Sequence, residues 1–202
     1  MPKFSIVLAS YLKPYPGAAT YRPEKFIRAV DSVLNQALQD WELVIVADGC
    51  TLTTDLYKQY YVRHNNIKLV ELPKQKLWSG NVRNAGIAAA TGEYITYLDT
   101  DDKLGPEHLS IINSEAIDQP WIWYDDYIMG MNYRPRYNVC QLTHGRCGTS
   151  NITHRRSLNA RWNDSTYAHD WRFIQTLMAH KGFTKVATPE YYICHLPNRL
   201  DV

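Results

Sequence analysis

The chain reads as an α/β domain with a mostly parallel central sheet flanked by helices. Three observations predict this. FSIVLA (4–9) is the continuous apolar, β-branched run expected of a strand buried on both faces, ELVIVA (42–47) reads as a second buried strand, and IKLVE (67–71) and YITYL (94–98) read as the third and fourth strands. Segments with helical spacing separate them, which is the alternation of a parallel sheet with crossover helices. Carboxylates stand at the ends of two strands, Asp48 after the second and Asp99, Asp101 and Asp102 after the fourth. Those are the positions where open α/β sheets bind ligands.

After the first strand comes a loop rich in Pro, Gly and Tyr, YLKPYPGAATYR. A helix opens at Pro23 and Glu24, since proline suits the first helical position and glutamate the first turn. Its apolar residues Phe26, Val30, Val33, Leu34, Ala37 and Leu38 recur at helical spacing. TLTTDLYKQYYVRH (51–64) predicts a second helix. SGNVRNAGIAAATG (79–92) predicts a third, with Ser79 as N-cap and Gly92 as C-terminal glycine. Beyond Asp102 the alternation weakens. WIWYDDY (121–127) predicts a strand, 128–150 reads as irregular, HDWRFIQTLMAHKG (169–182) predicts a helix ending at Gly182, and YYIC (191–194) a last strand. No repeat or linker interrupts the chain, so a single domain over 1–202 is expected, with halves 1–104 and 105–202.

The composition is that of a globular protein, 45% hydrophobic and 21% charged, which excludes a disordered chain. A net charge of +2 gives no argument for a nucleic-acid partner. MPKFSIVLAS is too short for a signal peptide, and no stretch approaches 18 apolar residues. The expectation is a cytoplasmic protein with no transmembrane segment and reduced thiols. Cys140, His144, Cys147, Cys194 and His195 could supply zinc ligands, but the paired CxxC spacing of structural zinc sites is missing and zinc is not favoured.

In a parallel sheet the four acids share one edge. Like charges so close are stable mainly when a cation neutralises them, and oxygen-only ligands select Mg²⁺ or Mn²⁺. For the short acidic motif alone, a solvated turn after a strand explains the residues as well.

An ordered series of segments widens the choice: SIVLASY, SVLNQALQDWELVIVADGC, GNVRNAGIAAATGEYITYLDTDD, GTSNITHRRSL and AHDWRFIQTL. Together they resemble the inverting glycosyltransferases of family 2, which have the GT-A fold, a Rossmann-like nucleotide-sugar-binding architecture with a small acceptor-side subregion. The resemblance implies a nucleotide-diphosphate sugar donor, most often a UDP-sugar, a saccharide or other hydroxyl acceptor, and a divalent metal, Mn²⁺ or Mg²⁺. It implies Asp48 on the uracil ring and Ala9, with Tyr11, beside the base. Arg83 and Asn84 match the family's helix-borne pair near the nucleotide. By the same resemblance Asp99 faces the ribose, Asp101 also touches the donor, Asp101 and Asp102 share the metal with the direct ligand left open between them, and His195 is a further metal ligand. Asp170 matches the catalytic base. Two positions depart from the pattern: Ala47 stands where the second strand usually carries another acid, and His169 replaces the usual Glu before the base.

Inverting transfer needs charge stabilisation at the leaving diphosphate and a general base on the acceptor hydroxyl. Asp170 stands at the start of an amphipathic helix, where capping is the simpler role; the family motif favours the base. Arg146, Arg155 and Arg156 are candidate cations for phosphate or an anionic acceptor. Trp121, Trp123 and Tyr124 read as packing residues or as sugar platforms, and Asp125 and Asp126 as groups that could orient donor or acceptor. Two other functions compete. One is a haloacid-dehalogenase-type phosphatase, whose DxDx[TV] motif partly overlaps YLDTDDKL but meets Lys103 in place of Thr or Val. The other is a catalytically silent nucleotide-sugar-binding module.

Overall fold

The computed structural model describes residues 1–16, 18–75, 79–116, 118–163, 168–188 and 190–194. Four predicted strands appear as β1 (Phe4–Ser10), β2 (Trp41–Asp48), β3 (Ile67–Leu72) and β4 (Tyr94–Tyr97). All eight residues of β2 are buried, the signature of a strand covered on both faces. β1 pairs in parallel with β2 on one side and β4 on the other, and β3 extends the sheet beyond β2. Strand order therefore reverses beside β1, the point at which α/β sheets open a crevice at their carboxyl edge.

Helix α1 (Arg22–Leu34) begins as expected with proline in its first turn, after Tyr21 in the left-handed region at φ 55°. It ends at Asn35, short of Leu38, because the chain turns there to pair the Ala37 amide with the Pro106 carbonyl. The predicted second helix divides into α2 (Thr51–Leu56) and a π-helical turn at Tyr57–Tyr61. In α3 (Gly80–Ala89), Ser79 takes the N-cap position without a side-chain capping bond. Gly92 is not its C-terminal glycine. It is a site of close backbone approach, where a Cβ would stand 2.8 Å from the Ser5 nitrogen.

The same demand seats α3 on the sheet. A Cβ at Gly86 would lie 2.4 Å from Val7 Cγ1 and 3.2 Å from Val46 Cγ2. Overpacking of this kind typically costs about 1–3 kcal/mol. Gly86→Ala is expected to lower stability by that amount, measured as a reduced urea midpoint. An unchanged midpoint would show that α3 can move off the sheet freely.

The second half adds strands that hydrophobic pattern does not reveal. Among the described residues the main sheet has seven strands in the order β10-β6-β9-β4-β1-β2-β3, with β6 (Trp121–Tyr124), β9 (Ile152–Arg155) and β10 (Phe183–Val186). β9 is antiparallel to both β4 and β6, whereas β10 and β6 are parallel. The predicted strand 121–127 breaks at Asp125: β7 (Asp126–Met129) leaves the main sheet for a four-stranded one ordered β5-β11-β7-β8. Here β5 is Lys103–Leu104, β8 is Pro135–Asn138 inside the stretch expected to be irregular, and β11 is Tyr191–Ile193. Helix α4 (His108–Ala116) precedes β6, and α5 (His169–Met178) ends before Gly182, which takes φ 84° beyond the helix.

The aromatic run packs the core. Trp121 is fully buried and stacks on Phe183 at 4.6 Å, and the Tyr124 hydroxyl donates to the Ile152 carbonyl at 3.2 Å. No helix of the described residues is long and apolar enough to cross a membrane.

Candidate active site

The carboxyl ends of β1, β2 and β4 gather the acids that the sequence singles out. Asp48 closes β2 and is 6% exposed. Its Oδ1 accepts the Gln75 amide at 2.6 Å and its Oδ2 accepts Lys74 Nζ at 2.5 Å. Lys74 also lies 4.4 Å over the ring of Tyr11, the first residue past β1. Gly49 makes this contact possible: at φ 60° it packs against the Lys74 backbone, which a Cβ would meet at 2.6 Å. An aromatic ring, a cation and a carboxylate thus meet at the carboxyl ends of β1 and β2. Ala9 packs on the other side of β1, against the Val44, Val46 and Val82 cluster.

The turn after β4 separates its three acids. Asp102 is 3% exposed and points into the protein. It accepts the Tyr191 hydroxyl at 3.0 Å and the Cys194 amide at 2.8 Å, so it ties β11 to the turn. The Tyr191 oxygen in turn accepts the Asp99 amide at 3.3 Å. Asp101 is partly exposed, and its carbonyl accepts Arg28 Nη2. Asp99 turns towards α3.

Arg83 is the hub. It is 5% exposed, projects from the face of α3 that Gly86 presses onto the sheet, and donates from Nη2 to Asp99 Oδ1 at 2.9 Å. Its Nη1 lies 3.6 Å from Asp170 Oδ1, and its guanidinium lies 4.8 Å over the ring of Trp162. Burial works against the charge, but Asp99 and Asp170 more than offset it and hold the guanidinium above its ordinary range. Asn84 supports this arrangement without reaching the site. Its amide and carbonyl pair with the Trp162 backbone at 2.9 and 2.8 Å. Trp162 stacks on Phe173 at 4.0 Å, which couples α3 to α5.

Asp170 opens α5 as predicted, with its side chain 38% exposed. Oδ1 accepts the Thr149 hydroxyl at 3.0 Å and lies 3.1 Å from His169 Nε2. Burial pushes this carboxyl up, yet the His169 hydrogen bond, the Arg83 charge and Thr149 outweigh it and hold it below the usual range. The sequence reading missed Thr149, Trp162 and Lys74. The GTSN stretch was a signal for the first; nothing local marks the other two.

Other candidates fall elsewhere. Arg155 pairs with Glu93 at 2.8 Å at the amino end of β4, the opposite edge of the sheet. With Arg156 it lines a cleft of about 510 Å³ there, away from the acids. Asp125 and Asp126 are buried inside the protein. Asp125 accepts the Cys140 amide and Lys185 Nζ, each at 2.7 Å, together with the Tyr137 hydroxyl. Asp126 accepts Asn138 and Asn151, each at 2.8 Å, while burial raises its carboxyl. The four cysteines are buried free thiols. Among the described residues no three His, Cys, Asp or Glu side chains converge on one cation position. His195 lies outside the described residues.

Comparison with known proteins agrees with this geometry. Residues 19–169 match the family described as Glycosyl transferase family 2. The putative glycosyltransferase EpsH of Bacillus subtilis is 37% identical over 92 residues, 45% of this chain and 26% of that protein. The putative colanic acid biosynthesis glycosyl transferase WcaA of Escherichia coli is 33% identical over 112 residues, 53% of this chain and 39% of that one. The chain thus spans well under half the length of both. Among solved structures, residues 1–349 of S. aureus TarS in complex with UDP-GlcNAc superpose with a TM-score of 0.72 at 18% identity, covering 95% of this chain and 58% of that one. The mannosyltransferase PcManGT from Pyrobaculum calidifontis, in complex with GDP-Man and Mn²⁺, gives 0.72 at 13% identity, covering 99% and 59%. At these identities the likeness is one of fold, and the fold is that of GT-A glycosyltransferases.

Proposed function

The chain belongs to glycosyl transferase family 2, and on that premise we propose that it moves a sugar from a nucleotide-diphosphate donor to an acceptor hydroxyl with inversion, Asp170 serving as general base. One observation carries the reading. Arg83 joins Asp99, at the donor edge of the sheet, to Asp170, at the head of α5, in a single charged bridge. Donor-side and acceptor-side acids therefore share one site.

In the reaction the acceptor oxygen bonds to the anomeric carbon as the bond from that carbon to the diphosphate oxygen breaks, and the electron pair leaves with the diphosphate. The acceptor proton passes to Asp170. Among the described residues its Oδ2 has no protein hydrogen bond, whereas Oδ1 is held by Thr149 and His169. The free oxygen is the one available to the hydroxyl. One displacement from the opposite face inverts the centre.

The grouping of Tyr11, Asp48 and Lys74 suits a uracil, whose ring can lie against an aromatic side chain and whose N–H needs an acceptor. Both Asp48 oxygens retain lone pairs beyond the bonds they make. TarS with UDP-GlcNAc supports a UDP-sugar, and the GDP-Man complex of PcManGT supports the wider donor class. Asp99 is placed for the ribose hydroxyls.

A hard divalent cation takes one or two carboxylates and completes its shell with substrate phosphates and water. Asp101, a partly exposed oxygen donor on the turn, fits that requirement as the ligand for Mn²⁺ or Mg²⁺. Asp102 accepts one donor on each oxygen, from Tyr191 and Cys194, and so also fixes the turn that carries Asp101. The bound cation would neutralise charge on the leaving diphosphate. The family assignment leaves the phosphatase reading without support.

Calorimetric and thermal-shift titration with UDP-, GDP- and dTDP-sugars, with and without Mn²⁺, tests this reading. A UDP-sugar present at 100 times its Kd should stabilise the fold by about 2.7 kcal/mol. No stabilisation by any donor would overturn it.

A further inference from the structure

We propose that His169 is a positioning residue for the base: it donates from Nε2 to Asp170 Oδ1 and so turns Oδ2 towards the acceptor hydroxyl. This rests on the assignment of Asp170 as base.

Nε2 lies between two groups with opposite demands, 3.1 Å from Asp170 Oδ1 and 3.3 Å from Arg83 Nη1. An ionised carboxylate only accepts and a guanidinium only donates. If Nε2 carries the proton, it satisfies Asp170. If it carries the lone pair, it satisfies Arg83 but sets that lone pair against a carboxylate oxygen. Arg83 already donates to Asp99 at 2.9 Å and lies against Asp170, so it loses little when Nε2 is a donor. Asp170 Oδ1 gains a second donor beside Thr149. The two donors reach the same oxygen from different elements, α5 and the turn before β9, and this fixes the carboxylate plane.

The imidazole is itself held. It is 8% exposed and packs 6.0 Å from the ring of Trp162, which Asn84 and Phe173 lock in place. A Glu at this position could not donate to the base. Residue 169 is therefore where this chain replaces a carboxylate beside the base with a donor to it. Misplacing a reacting group by about 1 Å can cost on the order of 10²-fold in rate.

The test compares His169→Leu, His169→Gln and Asp170→Asn in steady-state transfer assays, with donor Kd from calorimetry and melting temperature as a check of folding. His169→Leu is expected to lower kcat about 30-fold with donor Kd and KM within about twofold. His169→Gln places an amide N–H near the position of Nε2 and should recover kcat to within about threefold of the parent. The proposal is overturned if the Leu variant keeps parental kcat, or if Gln is no better than Leu while its melting temperature matches the parent. Should Leu fail to fold, His169→Asn takes its place, because its shorter amide cannot span the gap; equal kcat for Asn and Gln overturns the proposal. Asp170→Asn turning over within tenfold of the parent would refute the base assignment itself. An inactive Asp170→Asn beside a fully active Leu variant refutes only the role of His169.

Discussion

Asp170→Asn is expected to lower kcat by about 10³-fold while leaving donor affinity within about twofold, since a positioned general base contributes roughly 10²–10⁴-fold. The carboxamide keeps the shape of the side chain and can still accept from Thr149 and His169 through one oxygen, so the pocket persists. What it loses is the ability to take a proton. Single-turnover transfer and donor calorimetry on the same preparation separate the two effects; an Asn variant within tenfold of the parent would refute the assignment. The sign of the pH dependence follows from the site. His169, Arg83 and Thr149 outweigh burial and hold Asp170 below the ordinary carboxylate range. The base stays ionised as pH falls through that range, and the acidic limb of kcat/KM, which reports the free enzyme, should lie below the pKa of a free aspartate.

The second large effect is on stability and lies at the opposite edge of the sheet. Glu42 at the start of β2 is 4% exposed. It accepts Ser5 Oγ and Lys68 Nζ, each at 2.6 Å, as well as Thr91 Oγ1 at 3.0 Å and the Gly92 amide at 3.2 Å. It thereby fastens β1, β3 and the turn into β4 to β2. Burial pushes its carboxyl up, but these donors, Lys68 foremost, hold it at about 2, against 4.5 for an unperturbed glutamate. A depressed carboxylate contributes stability in full above its unfolded pKa, and the contribution is lost as pH falls towards the folded value. The difference corresponds to about 3 kcal/mol. Glu42→Gln should therefore unfold about 3 kcal/mol more easily at pH 7, with the gap to the parent closing between about pH 4.5 and pH 2. Urea titrations at pH 7 and pH 3 measure this. A gap below about 1 kcal/mol at pH 7 would show that Lys68 and Ser5 are satisfied equally well by an amide.

The first half of the fold was legible because β1, β2 and β4 are buried on both faces and carry mostly apolar runs, while β3, half-buried at the sheet edge, follows the same strand–helix alternation. β9 was hidden for the opposite reason: Thr153 and His154 are polar yet fully buried. His154 spends its Nε2 on the Tyr97 hydroxyl at 2.7 Å, and burial pushes its imidazole down to about 4. No hydrophobic period marks such a strand. The break at Asp125 went unread although Asp125 and Asp126 end the apolar run of 121–124, because two acids within a strand do not by themselves announce a change of sheet. In the site, the four carboxylates at strand ends and Asp170 could be named from sequence. Their division of labour could not. Asp102 faces inward because Tyr191 and the Cys194 amide, far along the chain, close over it, and Arg83 and Asp170 meet only after α3 and α5 have both docked on the sheet. Arg155 looked like a phosphate ligand until the antiparallel run of β9 carried it to the far edge.

The fastenings of Asp125 and Asp126 bear on how the second half of the chain can change. Tyr137, Asn138 and the Cys140 amide are anchored to these two buried carboxylates, and Asn151 closes the stretch from its other end. Between the anchors, residues 141–146 still pack, with Leu142 against the core and the His144 ring 6.5 Å from that of Trp171, whereas the β7–β8 connection is exposed at Met131 and Tyr133. Lengthening a loop whose ends are already fixed costs little, about 0.6 kcal/mol for each doubling. Insertions in the β7–β8 connection should leave the sheet, Asp48 and Asp170 in register.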